Sequence, residues 1–95
     1  MRNVPFYRFK NWDGIQYSFF YKKPHSSHRA DGLCSYPRYK NPRIYVRPTL
    51  KPKRKLAVII EEIIHAHLWE ELNEKKTRRL AGNIARVLLK SGWKL

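Results

Sequence analysis

The chain has 95 residues, with 21 Lys or Arg against 7 Asp or Glu and a formal net charge of +14. That length supports one modest hydrophobic core, and no apolar run is long enough to span a bilayer. A single cysteine, Cys34, excludes an internal disulfide and suits a reducing compartment, and MRNVPFYRFK at the start lacks a signal-peptide stretch, so the expected location is the cytoplasm.

The charge is lopsided. Residues 1–55 carry fourteen Lys or Arg against two acids, whereas residues 56–95 carry seven against five. Eleven of the thirteen aromatic residues also precede residue 56. Basic residues interleaved with aromatics suit phosphate backbones and stacked bases. Strand cores with solvated basic edges would give a similar composition, but solubility alone does not require so large an imbalance.

In chain order, Val4–Lys10 and Ile15–Lys22 are β-prone runs joined by Asn11-Trp12-Asp13-Gly14, which predicts a β-hairpin. Pro5 places the first strand at an edge or near its start. Pro24 to Pro42 is rich in Pro, Ser, Gly and Asn and reads as a loop. Arg43–Arg47 is a short strand stopped by Pro48. Lys51-Pro52-Lys53-Arg54-Lys55 is a basic joint, with Pro52 suited to the opening turn of a helix predicted from about Lys53 to Leu72. Asn73 can cap a second helix from about Glu74 to Lys90, with Gly92 as its stop. Leu80, Ala81, Ile84, Val87 and Leu88 give that helix an apolar stripe. Lys75, Arg79, Arg86 and Lys90, with Arg78 beside them, give it a basic outer face.

The chemistry concentrates in Leu56–Trp69, LAVIIEEIIHAHLW. The run is apolar nearly all round, yet Glu61, Glu62, His65 and Trp69 share one helical face opposite Leu56, Ile59, Ile60, Ile63 and Ile64. Unpaired buried charges cost several kcal/mol, so these carboxylates require partners. The pattern approaches H-E-x-x-H, in which two histidines one turn apart ligate zinc and the Glu activates a water. Here the first ligand position holds Glu61, and a carboxylate oxygen can also ligate zinc. The bland alternative is a Glu–His pair satisfied by itself or by a nearby Lys or Arg. His67 falls on the apolar side, as a core histidine. His25, His28 and Cys34 offer soft ligands without a fourth at zinc-finger spacing. Cys34 could act as a nucleophile only with a base such as His65 beside it. There is no Gly-rich phosphate loop and no Ser-centred nucleophile elbow.

Ala30–Leu95 resembles a family of small zincin-like proteins encoded by bacteriophages. The resemblance rests on Asp31-Gly32-Leu33-Cys34, the strand Arg43–Arg47, and Glu61-Glu62-Ile63-Ile64-His65-Ala66-His67-Leu68-Trp69. It continues through Ala81-Gly82-Asn83-Ile84-Ala85-Arg86 and Ser91-Gly92-Trp93. It implies that Glu62 is the water-activating residue and His65 a metal ligand. The family's first histidine is Glu61 here, and a later Asp of its second helix is Asn83. A third ligand would have to come from Glu74, Glu71 or Glu70.

These readings give an α+β fold of zincin-like type in one domain, residues 1–95. Residues 1–29 form a basic aromatic β-hairpin extension and residues 30–95 the zincin-like portion, with the hairpin and a short antiparallel strand packed on two C-terminal helices. With its first ligand altered, the chain is expected to be a non-catalytic, phage-type protein without a cofactor. Its expected partner is nucleic acid or a nucleic-acid-containing host assembly, with no membrane. Expected contacts are Arg38, Lys40, Arg43, Lys51, Lys53, Arg54 and Lys55, with Tyr36 and Tyr39 stacking on bases. One alternative is a zinc-dependent hydrolase with Glu61, His65 and Glu74 as ligands and Glu62 as general base. Another is an inhibitor docking an acidic host protein.

Overall fold

The computed structural model describes residues 4–24 and 30–94. Along the chain run β1 (Tyr7–Lys10), β2 (Gln16–Tyr21), β3 (Gly32–Cys34), β4 (Arg43–Val46), α1 (Pro52–His67) and α2 (Glu74–Lys90). The fold is α+β, a four-stranded sheet with two helices.

The expected hairpin forms from β1 and β2. Its turn is set by Asn11, whose Oδ1 accepts from the amides of Asp13 at 3.0 Å and Ile15 at 2.9 Å, and by Gly14 at φ +79°. The sheet order is β1-β2-β4-β3. Two expectations are corrected here. The segment read as a continuous loop contains β3, which pairs antiparallel with β4. The sheet is also mixed, because β2 and β4 run parallel. Three residues of β3 are too few to show a periodicity of two. Strand direction is decided by the crossover between β2 and β4, which no local pattern records.

Alternation sorts the strand residues. Tyr17, Phe19, Ile44, Val46 and Cys34 point to one face and bury against Val58 and Ala66 of α1. The Asn11 side-chain amide donates to the Ala66 carbonyl at 2.9 Å, and the Trp12 amide donates to His67 Nδ1 at 3.1 Å. These two bonds fasten the hairpin to the last turn of α1 and satisfy a carbonyl that the helix end would orphan. The helix therefore stops at His67 rather than at Leu72, and the chain turns over residues 68–73.

Asn73 caps α2 as expected, its Oδ1 accepting from the Lys76 amide at 2.8 Å. α2 runs back along α1 and buries Thr77, Ala81 and Ala85. This departs from the predicted stripe, since Leu80, Ile84 and Val87 are exposed. Small residues let the two backbones approach, and that contact fixes which side of α2 turns inward. Among the described residues, no helix is long and apolar enough to cross a membrane.

Candidate metal site

The face of α1 that carries Glu61, Glu62 and His65 opens onto a cavity of about 770 Å³. Its walls come from three elements: α1, the start of α2, and β3 at the sheet edge. The 68–73 turn brings Glu74, the first residue of α2, back over His65. His65 Nε2 lies 3.2 Å from Glu74 Oε1. One donor atom each from Glu61, His65 and Glu74 lies within 4.8 Å of the others, so this group could hold a metal ion. A tetrahedral centre with bonds of about 2.1 Å wants its donors about 3.4 Å apart, so metal binding would have to draw the group together. Two carboxylates and an imidazole form a donor set of the kind found at zinc sites that keep an open position. Glu70 and Glu71 line a separate small cavity near the hairpin turn, so the fold selects Glu74 among the three candidates.

Burial and neighbouring carboxyl groups raise the pKa of Glu61 and of Glu62. Glu61 is 7 % exposed and Glu62 5 %. Glu61 is pushed up first by burial, then by a hydrogen bond with Glu74 and that residue's charge. Glu62 is pushed up to about 8, again by burial first and then by the charges of Glu61 and Glu74. Arg78 partly offsets this, standing 3.9 Å from Glu61 and 3.7 Å from Glu74. Arg54 also lowers Glu62, and it pairs with Asp31 at 3.1 Å. Arg78, expected beside the basic outer face of α2, is exposed and its guanidinium reaches the cavity edge to pair with Glu61 and Glu74. Its spacing of four from Glu74 was the available signal.

Gly32, which entered the sequence reading only as part of Asp31-Gly32-Leu33-Cys34, decides how closely β3 approaches α1. A Cβ there would stand 2.6 Å from Val58 Cγ1 and 2.8 Å from Glu62 Oε2. Only glycine lets the strand pass over the carboxyl. Cys34 is buried among the cavity walls. Its thiol is pushed far above the ordinary range by burial and then by Glu62, which favours the neutral thiol over the thiolate. Trp69 stacks edge-on against His65 at 6.1 Å and against Tyr36 at 5.7 Å, forming one lip of the cavity. His67 stacks on Phe9 at 6.0 Å and plays the structural part expected of it. His25 and His28 lie outside the described residues.

The predicted nucleic-acid contacts do not share one surface. Tyr36 and Tyr39 pack edge-to-face at 5.5 Å near the cavity mouth. Arg38 and Lys40 are exposed beside them in sequence. Lys51 and Lys53 are exposed at the start of α1, and the Lys55 amine lies 5.7 Å from the Tyr21 ring centroid. Arg43 lies on the opposite side of the sheet from α1, over the Phe20 ring. No protein-family model matches the chain, and neither do curated proteins or solved structures.

Proposed function

We propose that the chain is a metal-dependent hydrolase of zincin type, with Glu61, His65 and Glu74 as zinc ligands and Glu62 as the proton-transferring residue. The observation that carries this reading is the convergence of those three donors within 4.8 Å beside a cavity. With the first histidine replaced by Glu61, the sequence alone favours the non-catalytic reading. In the fold Glu74 stands 3.2 Å from His65 as a possible third donor, and that favours the metal reading. The same convergence supports the resemblance to the phage zincin-like family.

Bound zinc would supply Lewis acidity toward a carbonyl oxygen and lower the pKa of a water. The remaining work belongs to the chain. Glu62 sits one residue from a ligand, with a carboxyl that exchanges its proton near neutral pH. Arg78 is 64 % exposed at its side chain, so it can leave Glu61 and Glu74 when another cation takes its place. β3 is an edge strand of the sheet beside the cavity, which suits an extended peptide pairing along it. A peptide or peptide-like amide is therefore the proposed substrate class, and the cytoplasm the proposed setting.

The test is zinc titration against a competing chelator, alongside cleavage of a quenched peptide library. His65→Ala should lose both zinc and cleavage. Glu62→Gln should keep zinc within a few fold and lose cleavage by at least about a hundredfold. A parent protein that takes no zinc at neutral pH refutes the reading.

A second reading, binding of nucleic acid without catalysis, is supported by the net charge of +14 and its concentration in residues 1–55. It predicts affinity that falls steeply with salt. Binding to an acidic protein in its place would leave the charge intact and assign it to the inhibitor alternative.

A further inference from the structure

The sheet has a second face, opposite α1, that among the described residues no helix or strand covers. Residues paired across strands share a face. The register therefore sets Arg8 of β1, Ser18 of β2 and Arg43 of β4 in one row across the sheet. Lys10 and Gln16 pair beside them, and Phe20 and Tyr45 form the next row. At strand spacings of about 4.8 Å, the Arg8 and Arg43 backbones stand about 10 Å apart. Two guanidinium groups at that separation can close over one phosphate or over neighbouring phosphates of a chain.

The row is already partly ordered. The Arg43 guanidinium stands 5.5 Å from the Phe20 ring centroid, and its Nη1 donates to the Tyr45 hydroxyl at 3.2 Å. Less side-chain freedom remains to be lost on binding. An open groove of about 460 Å³ runs along the row, and among the described residues no acid lines it. Asp31 is taken up by Arg47 and Arg54, and Glu61, Glu62 and Glu74 face the cavity on the other side.

We propose that this face binds the sugar–phosphate backbone of a single-stranded nucleic acid, with Arg8 and Arg43 as the phosphate clamp and Ser18 donating between them. The proposal rests on the nucleic-acid reading and moves its main contact from the joint at Lys51–Lys55 to the sheet. An open basic groove on a sheet surface can follow an extended strand by its backbone. Phe20, buried beneath Arg43, cannot insert into a bilayer, and that disfavours a lipid surface.

The test is fluorescence anisotropy of a labelled mixed-sequence oligonucleotide, titrated with the full chain from about 50 to about 300 mM salt. Arg8→Ala, at an exposed position, should lower the magnitude of the log K against log salt slope by about one. Arg8→Ala with Arg43→Gln should lower it by about two and weaken binding at least about tenfold near 100 mM salt. Ser18→Glu keeps both arginines and should weaken binding similarly by placing a carboxylate between them. Lys51→Ala with Lys53→Ala should change little. If Arg8→Ala and Ser18→Glu bind like the parent while the Lys51/Lys53 variant loses affinity, the face is wrong and the nucleic-acid reading survives. If the parent binds no oligonucleotide at low salt, both fail. A parent that prefers anionic vesicles or an acidic protein to the oligonucleotide overturns the partner class.

Discussion

Replacing Glu62 by Gln should flatten a fall in stability that the metal-free protein otherwise shows between pH 5 and pH 9. The folded Glu62 carboxyl has its pKa raised from 4.5 to about 8. Below pH 4.5 the carboxyl is protonated in both the folded and unfolded chains, and stability is complete. Between pH 4.5 and 8 the unfolded chain ionises while the folded chain holds its proton, so stability declines as pH rises. Each pH unit removes about 1.4 kcal/mol, giving about 3 kcal/mol by pH 7 and between about 4 and 5 kcal/mol by pH 9. A domain of this size is stable by about 5–10 kcal/mol, so the loss is a large fraction of the total. Gln matches the protonated acid in shape and does not ionise. The Glu62→Gln variant should therefore equal the parent within about 1 kcal/mol at pH 5 and exceed it by about 3–4 kcal/mol at pH 8.5. Urea denaturation in EDTA, followed by tryptophan fluorescence at several pH values, measures this directly. With a slope near 1 kcal/mol per molar urea, the two midpoints should separate by about 3 M at pH 8.5. Glu61 is coupled to Glu62 through its charge, so the difference between parent and variant reports the ionisation of the pair. Parallel pH profiles for parent and variant would refute the assignment of a buried, protonated Glu62.

Gly32→Ala should destabilise the fold by about 1–3 kcal/mol and weaken zinc binding, because its methyl must displace Val58 or Glu62; thermal melts with and without zinc check both effects. Thr77 is fully buried, and its hydroxyl has no hydrogen-bond partner among the described residues. Thr77→Val should therefore be neutral or stabilise by about 1 kcal/mol, whereas a drop in melting temperature would show that the hydroxyl is satisfied. Glu61→His should raise zinc affinity at least about tenfold in a chelator competition, since a second imidazole replaces a carboxyl that must first give up a proton. If the affinity does not rise, Glu61 is not a ligand position.

The amino-acid sequence determined the local elements wherever side-chain chemistry acts at short range. Asn11 and Gly14 make the hairpin turn, Asn73 caps α2, and its predicted span of Glu74–Lys90 agrees with the fold because cap, period and stop act within a few residues of one another. The clustering of Glu61, Glu62 and His65 on one face was likewise legible, since helical periodicity alone sets it. What the tertiary structure decided are contacts between distant residues. The parallel pairing of β2 with β4 and the three-residue β3 depend on partners supplied elsewhere in the chain. Asn11 reaches across 55 residues to Ala66 and helps end α1 five residues before its pattern ends. That early stop turns the chain so that Glu74, rather than Glu70 or Glu71, meets His65, with the exposed Arg78 pairing at the cavity edge. The basic face shows the same division. The sequence contains the arginines, but strand register alone places Arg8 and Arg43, 35 positions apart, on either side of Ser18.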